Sequence, residues 1–371
     1  MAWNFDEKPL LVFWETTRAC DLACRHCRAS AVIEPLPGQL STEEGRKLID
    51  QIALFGRPAP ILVLTGGDVL KRDDLFELVA HARALHIPVS LSPAVTPLLT
   101  EDVIDRFVEA DVAAMSLSLD DATADLHDGL RGVPGTWRRT LDLGRYAVQK
   151  GMRLQINSTV MRANVLRLPA LFELVLDMKA DIWEVFFLVQ TGRGRELLEA
   201  DPEMNESICH FLYEASFYGV TVRTVEAPFF RRLVSQYDSA TEAPPDSLAR
   251  RLISDLASRL GPATHRTRSK SSGTRDGKGI VFISHDGEVT PSGFMPVSGG
   301  NVRENSLIEI YQEAPLFTNL RTVGAFAGHC GRCDWKDTCG GSRARAYAAS
   351  GDPLGEDPAC KYTDAAQGVS V

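Results

Sequence analysis

Three cysteines near the amino terminus, Cys20, Cys24 and Cys27, constrain this chain more than any other feature. They lie in Thr16-Thr17-Arg18-Ala19-Cys20-Asp21-Leu22-Ala23-Cys24-Arg25-His26-Cys27, directly after an apolar run, Leu10 to Trp14, that reads as a strand. Thiolates at spacings of four and three can converge on one metal centre from a single loop. Their count is informative. A closed zinc site wants four ligands, and the fourth would have to be His26, directly beside Cys27. A cubane iron–sulfur cluster has four irons, so three thiolates leave one iron open to a substrate or cofactor. A zinc knuckle, or three unrelated buried cysteines, are the plainer readings of the same pattern.

Composition narrows the classes. With 371 residues, 44% hydrophobic and 24% charged, the chain can bury a large core and carry a smaller module. A net charge of −9 argues against a nucleic-acid binder. No segment approaches the roughly 20 apolar residues of a membrane span, and Met1 to Pro9 is too polar for a signal peptide. Eight cysteines, clustered rather than spread, suggest metal chemistry in a reducing cytoplasm.

Strand-like and helix-like runs alternate along the first half. Strands are expected at Leu10–Glu15, Ile61–Thr65, Pro88–Ser92, Ala113–Leu119, Arg153–Val160 and Trp183–Val189. Between them lie amphipathic runs, two of which begin at the capping residues Ser41 and Thr100. Such alternation implies a parallel sheet with right-handed crossovers. Six units suit a partial (β/α)6 barrel, a fold that works at the carboxyl ends of its strands. Asn205 to Tyr218 reads as a helix and Val220 to Val225 as an extended run. From 226 to 279 the composition shifts to that of a linker and mobile loop, with one helix at Asp246 to Leu260 and a basic tail, His265 to Lys278, expected to form a surface lid. Ile280–Ser284 and Glu288–Thr290 flank His285-Asp286-Gly287 as a hairpin. The expected division is therefore 1–225 barrel, 226–279 linker and 280–371 cysteine-rich extension.

Further motifs sit at the strand ends. Gly66-Gly67-Asp68 follows the second strand; its glycines let backbone approach a ligand, and its carboxylate could take an ammonium group. Ser116, Ser118 and Asp120 share one face at the end of the fourth strand, ahead of His127-Asp128-Gly129-Leu130-Arg131-Gly132. Asn157 and Thr159 are polar on the fifth strand. Gln190-Thr191-Gly192-Arg193-Gly194-Arg195 could present donors to an anion or be a plain turn. Taken together, Cys-x3-Cys-x2-Cys after a first strand and these later motifs resemble the radical S-adenosylmethionine (SAM) superfamily. His26 stands where that family usually has an aromatic residue. The resemblance implies a SAM-binding 4Fe-4S cluster on Cys20, Cys24 and Cys27. It also implies SAM contacts from Gly66, Gly67, Asp68, Ser118, Arg131 and Asn157, with Asp68 one methylene shorter than the family's Glu.

A second cluster of cysteines, Cys330-x2-Cys333-x5-Cys339 with Cys360, suits a closed iron–sulfur cluster or a structural zinc on count alone. It resembles the SPASM/Twitch extension of the same superfamily, which implies an auxiliary 4Fe-4S cluster. Ser292 stands where that family usually has a cysteine, and no cysteine lies between Cys209 and Cys330, so ligands for only one auxiliary cluster are implied; Ser342 stands where the radical SAM enzymes of heme d1 and alternative heme synthesis usually have another. Cys209, alone on a helix, is expected in the core. The run Cys339-Gly340-Gly341-Ser342-Arg343-Ala344-Arg345-Ala346-Tyr347 resembles the radical SAM enzymes of heme d1 and alternative heme synthesis. This implies reductive SAM cleavage, hydrogen abstraction from a tetrapyrrole side chain, and a flavodoxin- or ferredoxin-type electron donor. The alternatives are a maturase acting on a ribosomally made peptide and a non-catalytic iron–sulfur electron carrier. Only 19 residues precede Cys20, so a peptide-binding module would be expected on a separate partner.

Overall fold

In the computed structural model, residues 3–237, 247–263, 269 and 273–362 are described. Strands β1 (Leu11–Glu15), β2 (Ile61–Thr65), β3 (Val89–Leu91), β4 (Ala114–Ser118), β5 (Leu154–Val160), β6 (Ile182–Phe187) and β7 (Thr221–Val225) pair in that order, all parallel. Helices α1 (Thr42–Ala53), α2 (Leu75–Ala84), α3 (Glu101–Glu109), α4 (Ala124–Arg131), α5 (Thr136–Gln149), α6 (Leu168–Asp177) and α7 (Pro202–Ala215) fill the crossovers. The expected barrel of alternating units is present, and the run after α7 adds a seventh parallel strand to the six anticipated.

Local chemistry explains the elements. Ser41 and Glu44 form a reciprocal capping box that starts α1, and Thr100 caps α3 through Val103 N–H. Alternation sorts the strand side chains. Along β5, Leu154, Ile156, Ser158 and Val160 are buried, while Gln155, Asn157 and Thr159 face the barrel interior half-exposed. Trp14, Leu64, Leu91, Leu117 and Trp183 likewise lie in the buried core with the helix residues Leu48, Ile49, Leu78 and Phe172. Gly45 is needed on α1 because a Cβ there would run into the Trp14 ring.

The carboxyl-terminal segment does not build a sheet of its own. Strand β9 (Gly279–Ile283) pairs parallel with β1, matching Leu11 to Ile280. The expected hairpin forms: β10 (Glu288–Thr290) returns antiparallel on β9, and β11 (Gly300–Asn301) follows. Among the described residues all strands belong to one eleven-stranded sheet, including β8 (Arg275–Asp276) beside β9. Short helices α10 (Leu307–Glu313), α11 (Pro315–Arg321), α12 (Gly328–Arg332) and α13 (Arg343–Ser350) complete the extension.

Among the described residues, the stretch expected to be linker and loop includes regular structure. It contains α8 (Phe229–Tyr237), α9 (Leu248–Leu260) and β8 (helices α8 and α9 precede α10 in the chain). Of the expected lid, residues 265–268 and 270–272 lie outside the described residues. Its far end differs from expectation, because Arg275 and Asp276 are only 4% and 5% exposed. Both find partners inside, although Arg275 Nε itself has none. Arg275 donates to the carbonyls of Leu320 and Cys339 and stacks on Phe326, and Asp276 accepts from Ala344 N–H.

Candidate active site

The loop carrying Cys20, Cys24 and Cys27 leaves the carboxyl end of β1 and is held from three sides. On the first, Gly67 and Asp68 N–H donate to the carbonyls of Thr17 and Ala19, both at 2.7 Å. A Cβ on Gly66 or Gly67 would collide with backbone atoms of Thr17, Arg18 or Ala19. These glycines admit the loop itself at close range, which differs from the expectation that they open space for a ligand. On the second side, the end of α4 receives Ala23 and Arg25 N–H on the carbonyls of Arg131 and Leu130. On the third, the turn after β6 clasps the loop: Arg193 donates to the carbonyls of Cys24 (2.8 Å) and Ala31 (3.1 Å), and its N–H to that of Cys27. The Gln190–Arg195 stretch, expected to grip an anion or simply turn, thus uses Arg193 on the cysteine loop.

Each of the three sulfurs accepts a hydrogen bond: Cys20 from Leu22 N–H, Cys27 from Ala31 N–H, and Cys24 from the Arg131 guanidinium at 3.7 Å. Donors aimed at sulfur favour thiolate over thiol. Burial still pushes the Cys20 thiol up to about 12, so ionisation there requires a positive centre to accept the sulfur. All eight cysteines are free. This loop therefore fits a group that takes three thiolates.

Arg131 is also paired with Asp120, which is 1% exposed. Asp120 is a hub. Its carboxylate accepts from Thr159 N–H, lies 3.7 Å from His26, and its own N–H donates to His127 Nδ1. Although burial raises it, the charge of Arg131 holds the Asp120 carboxyl down at about 2. Burial lowers His26 and His127 to about 4, leaving both rings neutral near pH 7. Arg131 was expected to meet SAM; here it joins Asp120 to the Cys24 sulfur.

Asp68 also sits differently from expectation. It is fully buried, and its carboxylate accepts from Thr96 Oγ1 (2.7 Å), Leu70 N–H (3.1 Å) and Ala94 N–H (3.4 Å). It braces the ends of β2 and β3 rather than presenting a free carboxylate. Ser118 and Asn157 are neighbours in register across β4 and β5, where Asn157 accepts from Gln155 Nε2 at 2.8 Å. Both line the half-exposed interior face. The sequence alone did not single out Glu15, Arg28 and His285, which meet at the β1–β9 end. Arg28 lies 3.3 Å from Glu15 and over the Phe282 ring, and His285 is 3.8 Å from Glu15. These three become neighbours only through the β1–β9 pairing, which no local pattern announces.

The second cysteine group rings a small cavity lined by Cys330, Cys333, Cys339 and Cys360 with Gly340 and Gly341. Backbone N–H groups of Asp357, Trp335 and Gly341 point to the sulfurs of Cys330, Cys333 and Cys339 at 3.4 to 3.5 Å. Gly341 has φ +66°, and a Cβ there would press on the Cys330 sulfur. Among the described residues no three His, Cys, Asp or Glu side chains gather closely enough for a single ion; these four thiols surround a space instead. Four thiols around one space, three of them met by backbone N–H groups, are a donor set that fits a polynuclear iron–sulfur group. Ser342 is engaged elsewhere: it donates to Glu226, and its oxygen caps α13 through Arg345 N–H. The Ser292 oxygen accepts from Phe294 N–H. Cys209 is wholly buried on α7, as expected.

Comparison with known proteins agrees with this arrangement. Residues 14–174 match the radical SAM superfamily, and residues 275–334 match an iron–sulfur cluster-binding domain, SPASM. The chain is 36% identical over 355 residues to the AdoMet-dependent heme synthase of Methanosarcina barkeri (strain Fusaro / DSM 804), covering 95% of this chain and 97% of that one. It is 29% identical over 375 residues to the pre-heme d1 synthase of Dinoroseobacter shibae (strain DSM 16493 / NCIMB 14021 / DFL 12), covering 98% and 89%. In fold it is similar to Streptococcus suis SuiB bound to S-adenosylmethionine, with a TM-score of 0.68 at 15% identity, covering 96% of this chain and 78% of that one. No helix among the described residues is long and apolar enough to cross a membrane. With both cysteine groups in place and a 36% identical relative matched along nearly its whole length, this chain belongs to the radical SAM superfamily of enzymes and carries its SPASM iron–sulfur extension.

Proposed function

We propose that this enzyme modifies the acid side chains of a tetrapyrrole, using a SAM-binding 4Fe-4S cluster on Cys20, Cys24 and Cys27. A second cluster, on Cys330, Cys333, Cys339 and Cys360, serves as electron relay or substrate neighbour. The observation that carries the substrate class is the likeness, over 95% of the chain, to a protein named as a heme synthase. Held by Cys20, Cys24 and Cys27, the first cluster would supply, once reduced, the one electron needed to break a SAM carbon–sulfur bond into methionine and a 5′-deoxyadenosyl radical. The chain's own part is to bind, orient and exclude water. Gly66, Gly67 and Arg193 fix the cysteine loop; Arg131 steadies the Cys24 sulfur; Ser118 and Asn157 offer polar groups to SAM from the barrel wall. Asp68 acts through the β2–β3 ends that it braces. Residues 1–225 form the SAM-cleaving half and 280–371 the auxiliary half. The electron comes from a flavodoxin- or ferredoxin-type donor, in a reducing cytoplasm that keeps the thiols available.

Two measurements test this. Anaerobic reconstitution should load about eight irons per chain, and the Cys20/Cys24/Cys27 triple alanine variant should keep about half. Zinc at the second site after anaerobic purification would overturn the auxiliary assignment. Incubation of the reduced enzyme with SAM and iron porphyrins bearing acid side chains should give 5′-deoxyadenosine and a tetrapyrrole of changed mass. Recovery of every such tetrapyrrole unchanged, with 5′-deoxyadenosine still formed, would overturn the substrate class.

A further inference from the structure

An open cavity lies where the turn after β6 meets the loop after β10 and helix α13. It measures about 430 Å³ and is walled by Thr191 and Arg195 from the turn after β6, Phe294 and Pro296 from the loop after β10, and Tyr347 from α13. That volume is in the range of small-molecule sites, typically about 300–1,000 Å³. Its walls come from elements that also carry or hold the two cysteine groups. The turn that carries Thr191 and Arg195 is hydrogen-bonded to Cys27 through Arg193 N–H. Tyr347 is on the helix that follows Cys339 and Ser342. Phe294 packs on Phe186, which faces the barrel interior, with ring centroids 6.3 Å apart.

The chemistry of the lining is uneven in a telling way. Arg193, two residues before Arg195, is spent on loop carbonyls. Arg195 is exposed at the cavity, and among the described residues no side chain pairs with its guanidinium. An unpaired guanidinium is a fork for a carboxylate. Phe294 and Tyr347 present aromatic surface to the same space, suited to a flat conjugated ring. A site with one cation and two aromatic rings selects for a planar molecule with an acidic side chain. A long peptide backbone would call for rows of backbone donors and acceptors instead.

Resting on the tetrapyrrole reading above, we propose that this cavity is the substrate site, with Arg195 pairing a carboxylate of the macrocycle and Phe294 and Tyr347 lying against its ring. The carboxylate anchored by Arg195 is then a handle that orients the macrocycle, and a different side chain is turned toward the cysteine loop. Arg195 is a specificity-determining residue in this assignment and touches no reacting atom.

The test is binding to the cluster-loaded enzyme, read by equilibrium dialysis with two probes. One is an iron porphyrin with carboxylate side chains; the other has the same core with alkyl side chains only. Wild type should favour the carboxylated probe. Arg195→Gln should weaken that probe by about tenfold or more, the loss of one charge-assisted pair, and leave the alkyl probe unchanged. Arg195→Lys should restore part of the difference. Iron content and thermal midpoint serve as controls for folding. If Arg195→Gln binds the carboxylated probe as wild type does, the subsite is wrong while the tetrapyrrole reading survives. If wild type binds neither probe, both fall together.

Discussion

Gly67 shows how one missing methyl group sets the site. Its Cα lies so near the carbonyls of Arg18 and Ala19 that a Cβ would overlap backbone, which has no rotamer with which to step aside. Gly67→Ala should therefore displace the cysteine loop and leave about four irons per chain instead of about eight. Full loading of that variant, by iron analysis, would show that the loop can yield. A bulkier residue here would not isolate SAM binding from cluster assembly, because the loop is struck first. His127 makes a second, pH-dependent prediction. Burial, reinforced by Arg131, lowers it to about 4 in the fold, whereas an unfolded histidine titrates near 6.5. Between those values the unfolded chain binds more protons, so stability rises with pH and is lost on acidification from 6.5 toward 4. The slope from this one group is at most about 1.4 kcal/mol per pH unit. His127→Asn, whose amide oxygen can still accept from Asp120 N–H, should flatten this window in urea titrations; an unchanged slope would assign the effect elsewhere.

Elements, rather than single ligands, hold the cysteine loop. The 3-10 turn Gly192–Glu196 and the end of α4 grip it from two sides. Gly192, with φ +53°, packs against the carbonyls of Cys27 and Arg28, so the turn and loop meet backbone to backbone. Arg193→Met should remove two side-chain hydrogen bonds to the loop at a cost of about 1–3 kcal/mol. The readout is amide exchange: residues 20–31 should exchange faster while the barrel strands keep their protection. Uniform acceleration across the barrel would mean that Arg193 supports the whole fold. Helix α4 was not anticipated from the sequence, and its burial pattern explains why. Among its residues only His127 is fully buried, so it lacks the apolar stripe by which helices are recognised. What it has instead is a left-handed Gly132 cap at φ +75°, placed where a Cβ would strike Ala23. Helices with strong apolar faces and caps, such as α1 and α3, were legible for the opposite reason.

At the scale of the molecule, barrel and extension are one sheet with a buried polar seam. Arg345, 3% exposed, donates to the carbonyls of Phe187 and Leu188 at the end of β6, to that of Glu226, and to Asp357 in the extension, and pairs with Glu199. Arg345→Met would take the cation from the buried Asp357 carboxylate, which keeps the N–H groups of Ser342 and Ala359, so the cost should fall at or below the roughly 3–5 kcal/mol of an uncompensated buried pair. Urea unfolding followed by tryptophan fluorescence and by cluster absorbance should shift together. A shift in the cluster signal alone would mean that the extension unfolds independently. The sequence by itself determined the alternating architecture, the two cysteine groups and the strand-end motifs, because periodicity, capping and ligand spacing are local properties of a chain. Only the tertiary structure decided that β9 would close on β1, that Asp68 would be spent on Thr96, and that Arg131 and Asp120 would bear on Cys24. It also decided that Arg195 would share a cavity wall with Phe294 and Tyr347. Those outcomes depend on which distant groups become neighbours, and a side chain's role is set by whether a partner arrives to satisfy it.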